Sequence, residues 1–351
     1  MLGRADESTA FARVNARWRS GLAASPRVRL VEGEGADVIL HHDYEVDFAT
    51  VSPPSAARRI AVRTWDFGPF PRLWSERVNR LWDRLWVHSR WIAEQAVRGG
   101  VEPSRVTVVP IGIDPALFRP DGPQHEPAAR AGFRFLFVGA TTRRKGVDIL
   151  LRAYQQAFTA VDDVSLVIKD RATDVFYGSV RHRDEILARA ASPGAARIEF
   201  VEADLSAEEL ARLYRSCDVA VFPYRAEGFA IPILEAMACG TPPIVPRFGA
   251  CLDYCADDRA FFVEPKRIQL PVNRRLTANT LGLEVDVEEV DFCEVPVDVL
   301  AEALRAVRAA GREAIRARGE RASEVARGNF AWSSVFATIE AELLAPAAAL
   351  A

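Results

Sequence analysis

The residues best placed to do chemistry lie in "YRAEGFAIPILEAMACG", positions 224–240, where Glu227 and Glu235 stand eight positions apart in an otherwise apolar run. Pro232 suits the first turn of a helix, where its missing N–H leaves nothing unsatisfied. The segment before it then becomes the helix entry. Gly228, Phe229, Ala230 and Ile231 are expected to offer backbone amides there, and the positive end of the helix dipole adds to their pull on an anion. Gly228 has no β-carbon, so a ligand can come close to the backbone. Carboxylates beside a phosphate would repel it, so Glu227 and Glu235 need a different target on the same ligand. Vicinal sugar hydroxyls fit, because an ionised carboxylate only accepts hydrogen bonds and takes two O–H donors at once. Two sugar rings either side of a diphosphate make a sugar nucleotide. A glutamate near a helix start also complements the dipole by about 0.3–1 kcal/mol with no ligand at all. That is the simpler reading of Glu235 taken alone.

A second cluster, "GATTRRKGVD" at 139–148, places Gly139 at the end of an apolar run and Arg143, Arg144 and Lys145 in the turn after it. Cations there neutralise a diphosphate leaving group as its charge develops. By itself such a triplet is a solvated basic turn. It matches neither a P-loop nor the G-x-G-x-x-G fingerprint.

Positioning both clusters requires a scaffold, and the hydrophobic pattern supplies one. Short apolar, β-branched runs alternate with helical periodicity: "ADVILHH", "RRIAVRT", "RLWVHS" and "RVTVVPIG", then "FRFLFVG", "VSLVIKD", "RIEFVEAD", "DVAVFPY" and "TPPIVPRF". This predicts an α/β protein with parallel sheets covered by helices. Five prolines without periodicity mark 110–130 as a linker. The expected domains are 1–118 and 119–351, with the last helix returning to the first. "SAEELARLYRSC" opens with a capping box at Ser206 and Glu209. The segment 265–297 reads as an irregular surface excursion rather than a core element. Open parallel sheets bind ligands beyond the carboxyl ends of their strands. His42 with Asp43, Trp65 with Asp66, the basic turn, Lys169 with Asp170, and Glu227 all fall on that edge. Two such edges facing each other imply an interdomain cleft.

Composition narrows the class. The 351 residues are 49% hydrophobic and 26% charged, ordinary for a globular chain, and a net charge of −3 gives no footprint for nucleic acid. Five cysteines without a disulfide-scaffold pattern point to a reducing cytosol. Cys251 and Cys255 have a helical i, i+4 spacing, but no further ligand lies near them in sequence, and no metal site is expected. Lys145, Lys169 and Lys266 are the only lysines. No apolar run reaches the roughly 18 residues a membrane span needs. A cytoplasmic location is expected, with peripheral membrane contact through the arginines of "FARVNARWRS" left open; the same arginines read equally as a solvated helix face.

The motifs resemble the retaining glycosyltransferases of the GT-B fold, glycosyltransferase family four. "EGFAIPILEAMACGTPPIV" is similar to that family's E-G-F-G-L-P-x-x-E-A-M-A-C-G-x-P-V-I signature, with Ala230 in place of its second glycine and Ile231 in place of leucine. "FVGATTRRKGVDILLRAY" resembles its phosphate loop, "LSAEELARLYRSCDVAVFPY" the segment before the glutamates, and "DVILHHD" its D-V-I-H-A-H-D. The resemblance implies two Rossmann-like domains facing a cleft, with a UDP- or GDP-sugar held mainly by the second and no cofactor or essential metal. It implies that Glu227 meets hydroxyls of the transferred sugar, Glu235 the nucleotide ribose, and Lys145, helped by Arg144, the diphosphate. Gly139 and Lys169 would line the nucleotide, and His42 would face the cleft. The implied reaction is retaining hexosyl transfer to a hydroxyl on a glycan, a lipid-linked sugar or a secondary metabolite. Two departures stand out: Ala140 replaces an arginine common after the loop glycine, and Trp65 replaces a histidine. The family's first strand and glycine-rich acceptor loop have no counterpart in this sequence, so either the native start lies upstream of Met1 or the first domain is shortened. A sugar-nucleotide epimerase and a catalytically inactive glycan- or partner-binding subunit are the rival readings.

Overall fold

The computed structural model describes residues 10–31, 35–42, 58–125, 132–170, 182–271 and 287–345. The first domain begins with α1 (Ala10–Ala24), followed by β1 (Val38–His42), β2 (Arg58–Val62), α2 (Arg72–Leu81), β3 (Arg84–Val87), α3 (Arg90–Arg98) and β4 (Val106–Val108). Its four strands are parallel and lie in the order β1-β2-β3-β4. Val14, Trp18 and Leu22 recur every fourth residue and are buried, which gives α1 its apolar stripe against this sheet. Asp43 lies outside the described residues.

The second domain runs β5 (Phe133–Gly139), α4 (Val147–Ala157), β6 (Val164–Asp170), α5 (Arg183–Ala190), β7 (Arg197–Val201), α6 (Ala207–Arg215), β8 (Val219–Val221), α7 (Ile231–Ala238), β9 (Pro243–Pro246) and β10 (Phe261–Val263). All nine runs expected to be strands are strands. β10 was too short and too weakly patterned to stand out. Every residue of β5 and β6 is buried, as a parallel strand covered on both faces must be. Ser206 and Glu209 form the expected reciprocal cap on α6.

The order β10-β9-β8-β5-β6-β7 carries functional information. The chain builds outward from β5 to β7, crosses back to β8, and builds outward the other way. The sheet therefore reverses between β5 and β8, and the carboxyl ends of these two strands are where open α/β sheets place a ligand. The basic turn leaves β5 there, and the glutamate segment leaves β8.

The described residues of 265–297 form regular structure, where an irregular surface excursion was expected. β11 (Lys266–Pro271) and β12 (Glu289–Glu294) pair antiparallel, with Leu270 opposite Val290. Asp291 on β12 is fully buried and ion-paired to Arg98 of α3 at 2.7 Å and to Arg267. Its N–H donates to the Phe67 carbonyl at 2.9 Å, while the Cys293 N–H donates to the Arg225 carbonyl at 2.9 Å. One short strand thus grips both domains. Asp291 is buried in ion pairs, which a hydropathy pattern cannot reveal.

After it come α8 (Val297–Ala309), α9 (Arg312–Asn329) and α10 (Trp332–Leu344). The linker is pinned where these last two helices meet: the Ile113 N–H donates to the Phe330 carbonyl at 2.8 Å, and the Trp332 N–H to the Ile113 carbonyl at 3.0 Å. α10 packs on the first domain, with Phe336 so near Gly21 that a β-carbon there would lie 2.0 Å from the ring. Among the described residues no helix is long and apolar enough to cross a membrane. All five cysteines are free and buried. Cys255 lies against the Met237 sulfur at 3.7 Å, and Cys251 against the Pro246 carbonyl at 3.6 Å.

The first domain buries His88 as a neutral imidazole whose Nδ1–H donates to the Val109 carbonyl at 2.9 Å. Burial holds its pKa down to about 4 despite that carbonyl. The unfolded chain takes up the proton first, so this contribution is complete above about pH 6.5 and is lost at about 1.4 kcal/mol per pH unit toward pH 4. The midpoint of urea unfolding is expected to fall between pH 7 and 5, with a shallower slope in His88→Asn. An unchanged slope in that variant would contradict the assignment.

Candidate functional site

The two sequence clusters meet because glycine lets them. Gly146, which ends the basic turn, has φ of 76°, and a β-carbon there would lie 1.9 Å from the Pro223 carbonyl oxygen. The turn is therefore pressed against the exit of β8. Arg225 completes the joint: its N–H donates to the Arg144 carbonyl at 2.8 Å and its Nη1 to the Arg143 carbonyl at 2.5 Å. Its guanidinium also spans both carboxylate oxygens of Asp148 at 2.8 and 2.9 Å. Arg144 reaches back, donating to the Ala226 carbonyl at 2.9 Å. A bidentate, planar guanidinium suits this role, and a lysine would not reproduce it.

Four charges converge on this joint. Lys145 Nζ donates to Glu227 Oε1, and Arg144 Nη1 lies 3.3 Å from the same oxygen. Arg144 is also 3.2 Å from Asp66 Oδ2, although Asp66 belongs to the first domain. Both carboxylates are 7% exposed. Burial pushes Glu227 up, but Lys145 and Arg144 outweigh it and hold the carboxyl below its ordinary range. Asp66 goes the other way: burial is its largest influence and Glu227 adds to it, so Arg144 and Lys145 do not bring it down. Lys145 is pushed down, first by burial and then by Arg144, with Glu227 opposing. The physical picture is of Glu227 ionised between two cations, while the partly exposed Lys145 has a cationic neighbour as well as an anionic one.

Of the residues expected in the site, Glu227, Lys145 and Arg144 come together, and Gly139 lies beside them: a β-carbon there would be 4.0 Å from Lys145 Cδ. Ala230 and Ile231 form the entry of α7, with Pro232 in its first turn as expected. The Phe229 and Ala230 carbonyls accept from the Tyr254 hydroxyl at 2.5 and 3.2 Å. Lys169 is buried at the carboxyl end of β6, one strand over, and donates to the Asp170 carbonyl. Glu235 turns toward α6, where its Oε2 accepts from the Tyr214 hydroxyl at 3.1 Å.

Two of the expected residues make other contacts in this structure. Gly228 faces the first domain in this structure, since its N–H donates to Asp66 Oδ1 at 2.6 Å and its carbonyl accepts from Ser89 Oγ at 2.8 Å. A β-carbon on it would lie 2.8 Å from Thr64 Cγ2. The missing side chain admits the neighbouring domain there. His42 is not among the converging residues: it is 1% exposed, 2.7 Å from Asn15 Oδ1 through Nδ1, and packed between Trp18 and His88. Burial, with His88 nearby, keeps it well below the ordinary histidine pKa. The ring of its neighbour His88 lies 6.5 Å from that of Phe229 in the glutamate segment.

Sequence reasoning placed Asp66 on the ligand edge without giving it a role, and it passed over Ser89, Arg225 and Tyr214. Asp66 was visible as a polar residue at a strand end. Its neighbour Trp65 turns into the first domain's core against Trp74, so the side chain after it is the one presented to the second domain. Ser89 follows β3 and caps α3 by accepting from the Ile92 N–H at 3.2 Å. Arg225 and Tyr214 had no signal beyond their places next to the glutamates' elements.

Ala230 is the one non-glycine residue with positive φ among the described residues, at 64°. An L-residue pays about 1–2 kcal/mol for that conformation. Ala230→Gly is expected to raise stability by about 1 kcal/mol in chemical denaturation, glycine's greater unfolded-state freedom offsetting part of the relief. A loss of stability would contradict the strain.

Comparison with known proteins follows the same lines. Residues 123–274 match the family of glycosyl transferases group 1. The D-inositol 3-phosphate glycosyltransferase 1 of Catenulispora acidiphila is 35% identical over 178 residues, covering 48% of this chain and 41% of that one. The chain spans between 37% and 50% of the length of such relatives. Among solved structures, a glycosyltransferase from Rickettsia africae aligns with a TM-score of 0.61 at 13% identity, covering 97% of this chain and 83% of that one. HepE of Anabaena, solved in complex with UDP-glucose, aligns with a TM-score of 0.57 at 15% identity, covering 82% and 72%. With both sheets and the joined clusters in place, the chain has the GT-B fold of these solved structures, and its second domain matches the group 1 glycosyl transferases over residues 123–274.

Proposed function

We propose that this chain is a retaining hexosyltransferase, which moves a sugar from a UDP- or GDP-sugar to a hydroxyl on a glycan, lipid-linked sugar or secondary metabolite. The observation that carries the proposal is the meeting of Lys145 and Arg144 with Glu227 at the point where the second sheet reverses. The relative from Catenulispora is named for glycosyl transfer, and the HepE structure holds UDP-glucose, which supports the same class of donor.

Each residue then has a role that its chemistry suits. Lys145 and Arg144 hold the diphosphate and neutralise the charge that grows on it as the glycosidic bond breaks. The proposal assigns this task to two side chains and needs no metal. Glu227 accepts hydrogen bonds from hydroxyls of the sugar. Glu235, steadied by Tyr214, accepts from the ribose of the nucleotide. The bond between the anomeric carbon and the phosphate oxygen breaks, the acceptor oxygen bonds to the same face of that carbon, and the acceptor's proton passes to the leaving phosphate. No enzyme nucleophile takes part.

Thermal stabilisation by a panel of nucleotide sugars identifies the donor, since a ligand bound only by the folded chain raises its melting temperature. With that donor and an acceptor, Lys145→Ala and Glu227→Gln are each expected to lower turnover by roughly 100-fold or more. The product's anomeric configuration, read by NMR, is expected to match the donor's. Wild-type turnover in both variants would overturn the site, and inversion would overturn the mechanism. Isomerised donor in the absence of acceptor would replace transfer by epimerisation.

A further inference from the structure

The anion-binding part of the site is filled by the chain itself. The cations proposed for a diphosphate face Glu227 and Asp66, and the Gly228 N–H at the approach to α7 is already given to Asp66. The cavity left between Lys145, Glu227, Phe222 and Tyr224 is about 10 Å³, room for one water at most. Pockets that take ligands of nucleotide size measure roughly 300–1,000 Å³.

We propose that Asp66 is an internal competitor for the diphosphate: it carries a carboxylate from the first domain onto Gly228 and Arg144 and keeps the donor site latched until a nucleotide displaces it. This rests on the reading of the site as one for a nucleoside diphosphate. Asp66 differs from Glu227 in what its contact joins. Glu227 pairs with cations of its own domain. Asp66 crosses between domains, and Ser89 from the same side holds the Gly228 carbonyl. The pair grips both polar groups of one glycine, and the absence of a side chain allows the approach, since a β-carbon would lie 2.9 Å from Asp66 Oδ1. Arg90 to Asp253 at 2.9 Å and Trp91 against Phe248 at 4.7 Å close the same seam farther out. Entry of a diphosphate therefore exchanges one anion for another at Arg144 and the Gly228 amide, and parts the domains at this seam.

Affinity for a binding-competent form scales with its population, so a latch closed about nine-tenths of the time weakens nucleotide binding about tenfold. Titration calorimetry with UDP and GDP, beside uridine and guanosine, on the full chain reads this directly. Asp66→Ala is expected to bind whichever diphosphate fits about tenfold more tightly than wild type, and Asp66→Asn, which keeps the shape of the contact, to gain in the same direction. Nucleoside affinity is expected to stay unchanged. Equal or weaker diphosphate binding in both variants would overturn the latch, as would a parallel gain for nucleosides, which would mean general domain opening. If neither diphosphate binds any form, the donor-site reading itself falls and the latch with it.

Discussion

One buried carboxylate shared by two cations organises this molecule. Glu227 lies at the exit of β8, Arg144 and Lys145 at the exit of β5, and the sheet reverses between those strands. Breaking a buried pair by deleting one partner costs about 3–5 kcal/mol, because the other charge is left without compensation. Such an arrangement is a poor way to gain stability, since well-packed apolar residues often do as well. It is a good way to hold cations where an incoming anion will find them. The surrounding structure exists to keep it in place: Gly146 permits the approach of the two loops, and Arg225 with Asp148 locks it.

The second domain was legible in the sequence because its signals are local. Fully buried parallel strands read as continuous apolar runs, Pro232 and the capping box mark helix starts, and the glutamates and basic turn keep fixed distances from them. What could not be read was contact between segments far apart in the chain. Asp66 and Gly228 are separated by 162 positions, and Arg98 and Asp291 by 193. No periodicity encodes such pairs. The hairpin was misjudged for the same reason, since its acidic strand looks solvent-bound until its arginine partners are known. His42 shows the converse: a motif placed it at a strand end, but Asn15 and Trp18 from α1 cover it.

The way the two domains meet links fold to function. Contacts across the seam concentrate on the glutamate segment, through Asp66, Ser89 and His88, and on the hairpin strand through Asp291 and Cys293. Gly228, the glycine proposed to meet the ligand, is the point where the first domain docks. A site shared by ligand and neighbouring domain couples binding to domain arrangement, because each occupant must be given up for the other. Strain at Ala230, next to this point, belongs with it: sparsely populated backbone conformations persist where the surroundings demand them, and they cluster at functional sites.

The most direct test of the central claim is a crystal structure of the chain with the nucleotide sugar that stabilises it most. The account predicts diphosphate oxygens within hydrogen-bonding distance of Lys145 and Arg144, sugar hydroxyls on Glu227, and the Asp66 carboxylate withdrawn from the Gly228 amide. A nucleotide bound elsewhere, with Lys145 still closed on Glu227 and Asp66 still on Gly228, would contradict it.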